Sequence, residues 1–206
     1  MVSIPTLVAV GIAFWIVAAS PGPANLSNAA IAMRYGRRAS VIYGLGLSVA
    51  LVVWGILAAT GMGALLQASV GALLVMKLIG GFYLLYLAWG SARTAATPRD
   101  VKIAEARHGR WFWRGVVLNL SNPKSVIAWM AALSMGLDPS GSVLSIILTT
   151  LVCVVMAFLN NLTYSLVFSM EGMMTTYRRF RRWIEGASAA LFSIAGVALI
   201  RSAFAR

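Results

Sequence analysis

Residues 21–28 read Pro21-Gly22-Pro23-Ala24-Asn25-Leu26-Ser27-Asn28, and residues 119–124 read Asn119-Leu120-Ser121-Asn122-Pro123-Lys124. Each stretch interrupts a long apolar run, and each sets the tetrapeptide Asn-Leu-Ser-Asn beside a proline. Proline removes a backbone donor and clashes with the turn before it, so a continuous helix is expected to break at Pro21, Gly22 and Pro23, and again at Pro123. The first break leaves two arrangements open: two half-helices meeting, or a re-entrant hairpin. Outward from these points, hydropathy and breakers place six spans at 4–33, 39–61, 70–92, 114–136, 142–170 and 184–204. Gly80 and Gly90 in the third span match Gly186 and Gly196 in the sixth, with the same spacing. Broken helices at corresponding places in two halves are a recurrent build of secondary transporters, whose substrate sites form where the breaks meet.

The bulk composition agrees. Of 206 residues, 60% are hydrophobic and 11% charged, against roughly 45–50% and about 25% in soluble domains. A spanning helix needs about 20 apolar residues, and several such runs are present. One compact transmembrane domain over 1–206 is expected. The net charge of +12 does not indicate a nucleic-acid partner, because the positive residues lie in short connectors beside apolar spans. The single Cys153 excludes a disulfide framework and a CxxC redox centre. No basic residue precedes the apolar stretch Leu7–Ala19, so the N-terminus reads as a retained membrane segment rather than a secretory signal.

Lysine and arginine give the orientation. Arg34, Arg37 and Arg38 follow the first span. Arg93, Arg99, Lys102, Arg107, Arg110 and Arg114 follow the third, and Arg178, Arg179, Arg181 and Arg182 follow the fifth. Thirteen of the 17 basic residues therefore fall on one side. The positive-inside rule puts that side in the cytoplasm and both termini outside. Trp111, Trp113, Tyr177 and Trp183 flank these connectors, where amphipathic rings favour the interface. The first span then starts outside and the fourth inside. The predicted fold class is an all-α membrane protein with six transmembrane helices, arranged as two inverted three-helix repeats. The halves are about 1–92 and 114–206, the connector 93–113 is cytoplasmic, and helices 1 and 4 are broken.

Polar groups at membrane depth are costly and mark function. Lys77 and Lys124 are the ionisable candidates. Lys77 lies about 10 Å into its span, so it either snorkels or lines the pathway; Lys124 lies deeper, beside Pro123 and two asparagines. Asn25, Asn28, Asn119 and Asn122 each bring an amide donor and acceptor to a break, where they can hold a substrate or cross-link helices. Asn160, Thr163 and Tyr164 follow the spacing of one helical face, which is expected to point inward. The acidic residues Asp100, Glu105, Asp138, Glu171 and Glu185 all fall in connectors or at span ends, so no carboxylate is expected at depth. The lone His108 sits in a connector. No cofactor and no metal site is expected, and without an intramembrane nucleophile–base pair an enzyme is disfavoured. The expected substrate-binding set is Asn25, Asn28, Asn119, Asn122, Lys124, Lys77 and Asn160.

Three stretches resemble the amino-acid exporters of the LysE/RhtB superfamily. They are Pro21-Gly22-Pro23 followed by Arg37-Arg38, the run from Lys77 to Leu87, and Gly115 to Lys124. The resemblance implies an inner-membrane exporter of amino acids or related small metabolites, with about six helices and a proton gradient to drive it. Family members commonly carry Asp after the second proline, where this chain has Ala24. A cationic substrate would thus lack a negative partner and meet Lys124, so the expected cargo is neutral or weakly anionic amino acids or their derivatives, neutral rather than basic, with lysine and arginine handled poorly. The expected partners are the small-molecule substrate and the lipid bilayer; a homo-oligomer is compatible with the sequence. The alternative is an integral membrane assembly protein that transports nothing.

Overall fold

A computed structural model describes residues 3–68, 70–97, 110–136 and 143–204. Seven helices follow in order among these: α1 (Ile4–Ala19), α2 (Pro23–Ala68), α3 (Val70–Ala96), α4 (Trp111–Leu120), α5 (Pro123–Gly136), α6 (Val143–Val167) and α7 (Met173–Phe204). His108, Asp100, Glu105 and Asp138 lie outside the described residues.

Both expected breaks are present, and their causes are local. Ser20 precedes Pro21 and takes an extended backbone, φ −60° and ψ 143°, as the residue before proline must. The helix restarts at Pro23, whose missing N–H costs nothing in a first turn. The second break is shorter: Ser121 and Asn122 interrupt the path, and Pro123 opens α5 in the same way.

α2 is a hairpin rather than one rod. Gly36 has φ 82° and ψ 174°, a conformation essentially confined to glycine. Its arms are 23–35 and 37–68. The Ser40 hydroxyl donates to Asn28 Oδ1 at 2.7 Å, although twelve residues of straight helix would separate them by about 18 Å. The chain therefore doubles back, with Arg34, Arg37 and Arg38 at the turn.

Packing uses small residues, as expected where lipid supplies no hydrophobic drive between helices. A methyl on Gly46 would overlap the Phe112 carbonyl, and one on Gly115 the Tyr43 carbonyl, so α2 and α4 cross backbone to backbone. On the antiparallel α3–α7 pair, Gly81 and Gly196 meet similarly, while Gly90 and Gly186 face open space. The matched glycine spacing thus hides unequal environments. A central cluster joins Phe14 of α1, Leu84 of α3, Trp129 and Leu133 of α5, Cys153 of α6 and Phe192 of α7; the Phe14 and Trp129 rings lie 5.0 Å apart. Large apolar side chains such as Ile12, Phe82, Trp89, Leu151 and Ile194 are exposed instead, while Asn25, Asn28, Asn119 and Asn160 are buried. Apolar outside and polar inside is the arrangement of a membrane protein. By length and composition, three helical stretches among the described residues can cross a membrane: Pro23–Gly61, Val143–Val167 and Met173–Phe204.

Several sequence expectations need correction. Residues 62–68 are helical, not a connector. α7 begins at Met173, so Arg178 to Arg182 ride on a helix rather than in a loop before position 184. Glu185 is consequently well inside α7 and buried, not at a span end. Tyr177 is buried edge-on against Phe168 instead of lying at an interface. Thr163 is exposed; the inward face of α6 is Asn160, Asn161, Tyr164 and Ser165.

Candidate functional site

The two breaks lie side by side and enclose a polar pocket. Ala18 and Gly22 line it from the first break, Ala24 and Asn25 from the helix that follows, and Asn119 from α4. Asn122, Lys124 and Ser125 line it at the second break, and Asn160 and Asn161 from α6. Its water-accessible volume is about 40 Å³, room for a few waters. Four helix ends converge here. The starts of α2 and α5 bring partial positive charge, and the ends of α1 and α4 bring partial negative charge.

Lys124 ties the breaks together. It is the second residue of α5, and its ammonium donates to the Ser20 carbonyl at 2.9 Å and to the Ser20 hydroxyl. It is the one formally charged side chain among the described residues lining the pocket. Asn25 closes the end of α1, with Nδ2 donating to Ala18 O at 2.6 Å and Ser20 O at 3.0 Å. Tyr164 finishes the same end by donating to Ala19 O at 2.8 Å. At the second break Asn122 Oδ1 accepts the Lys124 N–H at 3.1 Å and so caps α5. Asn119 donates to Leu47 O at 2.8 Å and accepts from the Ser125 hydroxyl at 2.7 Å, which fixes α4 to α2 and α5.

Asn160 differs from the others. Its Nδ2 donates to Asn25 Oδ1 at 3.2 Å, but its own Oδ1 is buried without a partner. An unsatisfied buried amide oxygen costs about 1–3 kcal/mol. Since Asn160 lines the pocket, that acceptor is free for a ligand's donor. The site can therefore offer an ammonium to a carboxylate and an amide oxygen to an amine.

Of the expected residues, Asn25, Asn119, Asn122, Lys124 and Asn160 come together here. Asn28 and Lys77 do not. Asn28 donates to Asn161 O at 3.0 Å and to the Ser165 hydroxyl at 3.2 Å, cross-linking α2 to α6 outside the pocket. Lys77 donates to Ser202 O at 3.3 Å, at the far end of the α3–α7 pair. Sequence reasoning missed Ser20, Ser125, Asn161 and Glu185. Ser20 and Ser125 flank the breaks and could have been found from that. Glu185 carried no signal, because its burial follows from α7 starting eleven residues before the apolar run.

The LysE type translocator family matches residues 15–203. The threonine efflux protein of Salmonella typhi is 27% identical over 189 residues, covering 89% of this chain and 91% of that protein. The threonine efflux protein of Escherichia coli (strain K12) has the same identity and coverage. The homoserine/homoserine lactone efflux protein of Salmonella typhimurium is 27% identical over 175 residues, covering 83% of this chain and 80% of its own length. No solved structure matches the chain.

Proposed function

The chain belongs to the LysE type translocator family, and from that membership we propose that it is a secondary active exporter of neutral amino acids across the inner membrane. The observation that carries the reading is the pocket between the breaks, with the Lys124 ammonium at one side and the unpaired Asn160 Oδ1 in its lining. An α-amino acid presents a carboxylate and an ammonium a few bonds apart. Lys124 and the starts of α2 and α5 take the carboxylate, Asn160 takes the ammonium, and Asn25, Asn119 and Asn122 hold the frame. The pocket is too small to admit a whole amino acid unless the half-helices part, so alternating access opens it to one side at a time.

Neutral cargo is favoured because a cationic side chain would meet Lys124. At an effective dielectric of ~20 and ~6 Å, such a contact costs roughly 3 kcal/mol. Glu185 is buried but does not line the pocket, so it gives that side chain no direct partner there. The relatives named for threonine and homoserine efflux agree. The proposed topology is six crossings in one domain, as inverted halves about 1–92 and 114–206, with both termini outside and the arginine-rich ends in the cytoplasm.

Proteoliposomes loaded with L-threonine, L-glutamate or L-lysine test the reading. L-threonine efflux is expected to exceed L-lysine efflux, and Lys124→Ala is expected to lose at least a hundredfold in rate while inserting normally. Preferred export of L-lysine, or normal export by the variant, overturns it.

A further inference from the structure

Glu185 has no role in the pocket just described. The residue is buried on α7, only 5% exposed, with the Ser91 side chain of α3 within reach of its carboxylate. A carboxylate inside a membrane bundle is costly and marks substrate or ion pathways.

Its place follows from the register of the two helices. α3 and α7 run antiparallel: Lys77 reaches Ser202 O, Gly81 meets Gly196, and Arg182 Nε donates to Ala95 O at 3.1 Å. The Ser91–Glu185 pair therefore lies one turn deeper than Thr94 and Arg181. At that arginine-rich end Arg93, Thr94, Thr97 and Arg181 line a cavity of about 400 Å³. Inward, Glu185 lies within electrostatic reach of Lys124, which lines the pocket, and of Tyr164 and Tyr177. Charge thus alternates from the cavity to the pocket: positive at Arg93 and Arg181, negative at Glu185, positive at Lys124.

We propose that the seam between α3 and α7 is the route from the arginine-rich face to the pocket, and that Glu185 is an outer binding station on it for a zwitterionic amino acid. Glu185 takes the ammonium and the cavity arginines take the carboxylate, in charge-assisted hydrogen bonds. Handover to the inner pocket moves the carboxylate to Lys124. The station rests on the export reading, and it adds a second site for the same substrate class.

A Thr94→Cys reporter in a Cys153→Ala background tests this, with a membrane-impermeant thiol reagent applied to each face in turn. Labelling is expected from the arginine-rich face alone, slowed by saturating L-threonine. E185Q is expected to raise the half-protecting L-threonine concentration about tenfold or more, the loss of one bond to a charged group; E185D restores most of it. Lys124→Ala, which disables the inner pocket, is expected to leave protection intact. Labelling from the opposite face, or no protection by L-threonine, overturns the proposal without any need for E185Q. So does protection that vanishes with Lys124→Ala. Protection that persists while vesicles export no amino acid would instead remove the export reading, and the route with it, and leave Glu185 as an amino-acid binding site alone.

Discussion

The two copies of Asn-Leu-Ser-Asn are identical in sequence and do different work, because they lie on opposite sides of their breaks. The first copy, 25–28, begins after Pro23, inside the restarted helix. Asn25 turns back and ties off the carbonyls of α1. One turn later Asn28 points away from the pocket and joins α2 to α6. The second copy, 119–122, ends before Pro123. Asn119 closes the last turn of α4 and reaches across to α2, while Asn122 caps α5. Both members of the second copy line the pocket, but only one member of the first does. Sequence likeness locates the breaks; the position of the proline relative to the repeat decides which amides face the pocket.

The comparison can be broken at three points. The largest effect is expected for Asn119→Ala, which leaves Leu47 O without its side-chain donor and removes the acceptor of Ser125. Export should fall at least a hundredfold with the protein still inserted, as read by flux against membrane abundance. Export near normal would make the second copy structural.

A smaller effect is expected for Asn28→Ala. Its bonds to Asn161, Ser165 and Ser40 are buried, and losing such a group costs about 1–3 kcal/mol. Thermal unfolding in detergent should shift down, while the KM for L-threonine stays unchanged. A raised KM without lost stability would show that the two copies are functionally alike after all.

The smallest effect is expected for Lys77→Ala. Lys77 and Lys124 are both lysines within apolar runs, yet Lys77 bonds only to the Ser202 carbonyl among the contacts described. Flux should remain within about twofold of the parent, the loss of one hydrogen bond at a helix end. A loss comparable to that of Lys124→Ala would place Lys77 on the pathway.

The membrane class, the two breaks and the place of Lys124 beside the second break were legible in the sequence. All three depend on local facts: the length of an apolar run, the covalent geometry of proline, and the adjacency of two residues in the chain. The separation of Asn28 from Asn25 was not legible. It depends on α2 doubling back at Gly36 and on which face α6 presents to it. The burial of Glu185 depends likewise on the register of α3 against α7, fixed where Gly196 meets Gly81, a residue far from Glu185 in the chain. Hydropathy marks where a span must lie, but a helix can run on past its apolar stretch, and here α7 does. Which polar groups meet is settled by the crossing of helices, since a side chain's environment is made mostly by residues distant in sequence.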